Sequence, residues 1–107
     1  MFQQNIPAIR RQLDSDLNMI LARMPKTGFV ANEFIAAFKS LNPIGHAYAD
    51  RSSNDYRDFH RWVSRHYLIG LERKGILYRP KDRPTKKTST WAGRPTWNVL
   101  WFLVKID

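Results

Sequence analysis

The chain has 107 residues, 43% hydrophobic and 13% aromatic, which is enough for one core, too short for two, and too apolar for disorder over most of its length. Its 18 Lys and Arg against 9 Asp and Glu give +9 and a pI near 10.4, the electrostatic footprint of a partner that carries phosphates. The lack of cysteine excludes a disulfide framework, a thiolate zinc site and thiol catalysis, and no run of about 18 apolar residues or charged-then-apolar N-terminal signal points to a membrane.

In the first third, Ile6, Ile9, Leu13, Leu17, Ile20, Leu21 and Met24 recur at spacings of three and four, the period of an amphipathic helix. Asn5 and Pro7 mark its start, and Pro25 lies beyond its end. The outer face, with Arg10, Arg11, Asp14 and Asp16, is nearly neutral, so this helix is expected to pack rather than to bind. Residues 26–30 join a Thr-Gly turn signal to two large apolar residues and predict a short extended connection. A second helix is expected over 32–41, burying Phe34, Ile35, Phe38 and Leu41 and stopped by Asn42-Pro43, because the residue before a proline is steered out of the helical region. Residues 43–53 read as a polar loop.

A third helix follows, with Ser53 or Asn54 as its cap and Asp55 and Asp58 in a first turn where acids complement the dipole. It runs to about Lys74, and Gly75 supplies a left-handed stop. At about 100° per residue, Tyr56, Phe59, Val63, Tyr67 and Gly70 share one side, and Arg57, Arg61 and Arg65 the opposite one. Leu68 falls among the arginines, which predicts a bend near Gly70 or cover from the strands that follow.

The segments ILY (76–78) and TWNVLWFLV (96–104) have the β-branched and aromatic character of strands. In the second, Trp97, Val99, Trp101 and Leu103 face one way and Asn98, Leu100, Phe102 and Val104 the other, with both faces mostly covered. Trp97 and Trp101, like Trp62, are expected in the core rather than stacked on unpaired bases, and Trp91 is the candidate for an exposed contact. Between the strands lies RPKDRPTKKTSTWAGRPTW (79–97), with three Arg-Pro pairs. Paired strands at its ends predict a tethered loop, ordered at its ends and mobile in its middle, with the Arg-Pro pairs as stiffeners. Residues 51–94 hold twelve Lys and Arg against four acids, and so +8 of the +9. Charge this local marks a binding face. The expected class is α+β: a single domain over 1–107, three helices followed by a C-terminal antiparallel β-hairpin.

This order of elements, with LIGLERKGILYRP (68–80) running from the third helix through a glycine into the first strand, resembles the winged helix-turn-helix family. The loops 43–53 and 80–95 are longer than is usual there. The resemblance implies that the third helix enters the major groove and that a hairpin wing touches the backbone or the adjacent minor groove. On this chain it places Arg57, Arg61 and Arg65 on the duplex from the helix, with His60 and Ser64 beside them. Lys81, Arg83, Lys86, Lys87 and Arg94 project from the wing. Gly93-Arg94-Pro95 also resembles the core of an AT-hook, whose arginine lies in an A/T-rich minor groove, although Ala92 stands where a fuller hook has a basic residue.

The expected function is that of a small cytoplasmic DNA-binding protein, a transcriptional regulator or DNA-architecture factor of phage or mobile-element type. Its expected partner is double-stranded DNA, with RNA or an acidic protein as alternatives. The rival reading is a protein-interaction module that uses the same fold to bind or inhibit a host nucleic-acid-processing machine. Helix one and the last strand are candidate surfaces for a homodimer. No enzyme, metal or cofactor is expected: the sequence has no Gly-rich phosphate loop, nucleophile elbow or catalytic acid pair, and His46, His60 and His66 lack metal-ligand spacing.

Overall fold

Three helices and four short strands are described by the computed structural model, which covers residues 2–41, 54–89 and 95–104. Helix α1 is Phe2–Ala22, and α2 is Ala31–Leu41. A third helical run, α3, joins Asn54–Trp62, a π-helical turn at Val63–Tyr67, and Leu68–Arg73. The strands are β1 (Leu77–Tyr78), β2 (Thr85–Ser89), β3 (Pro95–Val99) and β4 (Phe102–Leu103). The class is α+β, with two small antiparallel strand pairs.

Helix α1 carries its apolar stripe as the periodicity predicts, with Ile9, Leu13, Ile20 and Leu21 buried. It begins at Phe2, ahead of the expected start, and encloses Pro7. A proline there removes one backbone hydrogen bond, and tertiary anchoring holds the turn in front of it. The buried Phe2 ring meets Phe59 and Trp62 edge-on, each with centroids 6.0 Å apart, and the Phe2 N–H donates to Asp55 Oδ1 at 3.2 Å. Farther along, the Tyr67 hydroxyl donates to Asp14 Oδ1 at 2.7 Å, tying α1 to α3. Burial, then the Asp14 carboxylate, pushes the Tyr67 phenol above its ordinary range.

Between α1 and α2, Gly28 takes φ +103, and a Cβ there would lie 2.9 Å from the Phe102 ring. Only glycine suits both the backbone angle and the close approach. Phe29 then bridges to Trp101: its N–H donates to the Trp101 carbonyl at 2.9 Å, and the Trp101 N–H returns a bond of 2.7 Å. The extended connection expected at 26–30 is thus reduced to a single paired residue. Glu33 accepts a hydrogen bond from the Val30 N–H at 3.1 Å, half of a capping box that fixes where α2 starts. Phe34, Ile35 and Phe38 form its buried side.

The π-turn explains Leu68. In an unbroken α-helix Leu68 lies about half a turn from Phe59, but a π-turn closes i→i+5 bonds and absorbs an extra residue, turning everything after it back by about 100°. Leu68 and Leu71 thereby join Phe59, Val63 and Tyr67 in the core. The irregularity sits in the turn before Leu68 rather than in a bend at Gly70. Gly75, at φ +78, ends the helix as expected. Its N–H donates to the Glu72 carbonyl at 3.0 Å, and Ile76 N–H reaches back to Leu71 at 3.0 Å, the bond pattern of a glycine-terminated helix.

The C-terminal run is not one continuous strand. Residues 95–99 pair with 85–89, from Thr85↔Val99 to Ser89↔Pro95. Leu100 N–H donates to the Pro84 carbonyl at 2.9 Å, Trp101 pairs with Phe29, and Phe102 and Leu103 pair with Tyr78 and Leu77. Residues 79–84 therefore face only Leu100 and Trp101, and they bulge outward through a turn in which Arg83, at φ 48, donates its N–H to the Pro80 carbonyl at 2.9 Å. The expected single hairpin is corrected to an inner pair, β1 with β4, and an outer pair, β2 with β3. Much of the presumed loop is strand, and its middle, residues 90–94, lies outside the described residues. The core is rich in aromatic rings: Phe29, Phe34, Phe38 and Phe59 are all among its fully buried side chains.

Candidate nucleic-acid interface

Helix α3 presents Arg57, Arg61 and Arg65 at the surface, with Ser64 half-buried among them. Arg57 bends back along its own helix, where Nη2 donates to Asn54 Oδ1. Arg61 and Arg65 stand as a ridge between two grooves. One groove, of about 250 Å³, is lined by Ala31 and Asn32 at the start of α2, by His60, Arg61, Ser64 and Arg65 of α3, and by Asn98 of β3. The other, of about 330 Å³, lies between the same arginines and Phe2, Gln3 and Ile6 of α1. The start of α2 borders the first groove, but its positive end is already met by the Glu33 carboxylate, which accepts from the Val30 N–H, so the cationic character of the groove rests on Arg61 and Arg65.

His60 does not project with the arginines. It is 5% exposed, its ring lies 4.3 Å from that of Tyr56, and its Nε2 is 3.1 Å from Lys39 Nζ. It lines the groove from within the α2–α3 interface. Lys39 Nζ also lies over the Tyr56 ring at 4.6 Å, so this basic residue of α2 is turned inward.

The outer hairpin has two unlike faces. Side chains alternate along a strand, so Lys86 and its register partner Asn98 share one face, and Lys87 and its partner Trp97 share the other. The first face looks to the helices: Lys86 Nζ lies 3.6 Å from Glu33 Oε1, and Asn98 lines the arginine groove. The second face looks outward, with Lys87 exposed and Trp97 65% exposed. Trp97 is a correction to the expected core position. Its neighbours in β2, TKKTS, contain no apolar residue, and the sequence itself carries this signal. Trp62 and Trp101 do lie in the core.

Lys81 and Arg83 are exposed in the bulged turn. Arg94 and Trp91 lie outside the described residues, and with them the AT-hook-like Gly93-Arg94. Arg79 is committed to structure: its Nε and Nη2 donate to the two Glu72 oxygens, both at 2.8 Å, and its guanidinium sits 4.6 Å from the Trp101 ring. The Arg79 hydrogen bonds hold the Glu72 carboxyl below its usual range; burial opposes them, and the charges of Arg79 and then Arg83 add to the lowering.

Arg61, Ser64 and Arg65 thus gather as their helical spacing predicts, joined by Asn98 and the start of α2, whose proximity is purely tertiary. Among the described residues no group of three or more His, Asp or Glu could hold a metal ion, and no described helix is long and apolar enough to cross a membrane. No family model, curated protein or solved structure matches the chain.

Proposed function

We propose that the chain is a small cytoplasmic DNA-binding protein of winged-helix type that lays the Arg61–Arg65 ridge of α3 on duplex DNA and uses its outer hairpin as the wing. A regulatory or architectural role, of the kind phage and mobile elements use, is the matching biology. One observation carries the reading: Arg61, Ser64 and Arg65 share a groove with the start of α2 and with Asn98 of the hairpin. Guanidinium forks can grip phosphate or read a guanine edge there. The order of the elements, with Phe29 paired to Trp101 between the first two helices and the hairpin, supports the winged-helix reading.

In this arrangement Lys86 contacts the same duplex beside the groove, while Lys81, Arg83 and Arg94 add backbone or minor-groove contacts; Lys87 lies on the opposite face of the hairpin. Phosphate contacts supply affinity, and base contacts from α3 supply any sequence preference. Titration of a labelled duplex across salt concentrations tests the reading. If four cations contact phosphate, the slope of log affinity against log salt is about −3.6. Absence of binding at low salt, or binding without a salt slope, would overturn it.

A further inference from the structure

We infer that the outward face of the β2–β3 hairpin, where Trp97 stands opposite Lys87, receives unpaired bases, so that the preferred nucleic acid is a duplex bearing a single-stranded arm. This rests on the duplex reading and specifies its substrate class. A tryptophan costs water-exposed apolar surface wherever it is left uncovered, and here 65% of it is uncovered on a hairpin whose facing strand carries only polar and basic groups. Trp101, four residues on, is 5% exposed, so the difference comes from the fold and not from the residue type.

The register places a cation directly across from the ring. A flat π surface beside an ammonium matches a nucleotide, since the base stacks on the ring and the phosphate meets the charge, without regard to which base it is. The two faces of the hairpin then divide the ligand. Asn98 lines the groove of Arg61 and Arg65, where the duplex lies, with Lys86 on the same face of the hairpin, and Lys87 and Trp97 point the opposite way. A strand leaving the duplex at its end passes over the outward face, with the hairpin set between paired and unpaired segments.

Three probes test this by fluorescence anisotropy: a blunt duplex of about two helical turns, the same duplex with an arm of about ten unpaired thymidines, and the thymidine strand alone. The arm is expected to tighten binding about 5- to 20-fold. Trp97→Ala removes that gain and leaves the blunt-duplex affinity within about twofold, Trp97→Phe keeps most of the gain, and Lys87→Ala reduces it in part. Trp97 is exposed, so unfolding midpoints of these variants stay with the parent and separate a binding role from a folding defect. Blunt duplex bound normally with no gain from the arm, or a gain that survives Trp97→Ala, overturns the inference alone. Thymidine strand bound through Trp97 while blunt duplex is not bound upholds the stacking face and overturns the duplex reading.

Discussion

The inner and outer strand pairs are cut from the same stretch of chain and share antiparallel geometry, yet they are built for different ends. In the inner pair Leu77 is fully buried, and Trp101, which precedes β4, is held by its backbone to Phe29 and by its ring under Arg79. In the outer pair Thr85, Lys86, Lys87 and Trp97 carry the surface, and the Trp97 indole lies open to solvent. The chain bulges outward through residues 79–84 where one pair gives way to the other, so the hairpin leaves the core before its basic half begins. Stability is concentrated in the inner pair, and surface chemistry in the outer one. A two-stranded ribbon is marginal alone, so the outer pair persists because its base is clamped.

Substitutions that invert this contrast would break it, and the largest effect is expected at Trp101. Trp101→Ala removes a buried indole from beneath the Arg79 guanidinium and is expected to cost about 3–5 kcal/mol in denaturant unfolding. A smaller cost is expected at the clamp. Glu72→Gln leaves Arg79 without its carboxylate and costs about 1 kcal/mol at neutral pH, as suits a bidentate but partly exposed pair. The folded Glu72 carboxyl titrates below its unfolded value, so its stabilisation is complete above the ordinary carboxylate range and fades as pH falls through the folded value. The gap between parent and Glu72→Gln should therefore close in acid, which unfolding curves at several pH values would reveal. The smallest effect belongs to the outer pair: Trp97→Ala should shift stability by no more than about 0.5 kcal/mol, and a destabilisation like that at Trp101 would mean the outer indole is structural after all.

Elements whose cause is local can be read from the sequence. The stripes of α1 and α2, the arginine side of α3 and the stop at Gly75 all follow from spacing and from single residues with special backbone freedom. Leu68 cannot be placed that way, because the π-turn that turns it inward depends on the packing of Val63 and Tyr67 rather than on any local signal. The break at Leu100 and Trp101 is hidden for a similar reason: an alternating apolar run looks the same whether it keeps one partner or exchanges three. At the candidate site, Arg61 and Arg65 are legible from their spacing. Asn98 and the start of α2 are not, since only the folded chain brings them to the arginines. His60 departs from its expected place because it lies at the flank of the arginine side, where the neighbouring Lys39 and Tyr56 draw it inward.

The proposed contact with nucleic acid is the Arg61–Arg65 ridge rather than diffuse positive charge. Its most direct test compares the salt dependence of duplex binding by the parent with that of the double substitution Arg61→Ala and Arg65→Ala. The double variant is expected to keep the parent's unfolding midpoint, to bind at least about tenfold more weakly, and to show a slope of log affinity against log salt shallower by about 1.8, or about 0.9 for each phosphate no longer neutralised. A slope and affinity equal to the parent's would contradict it and place the nucleic acid elsewhere on the basic surface.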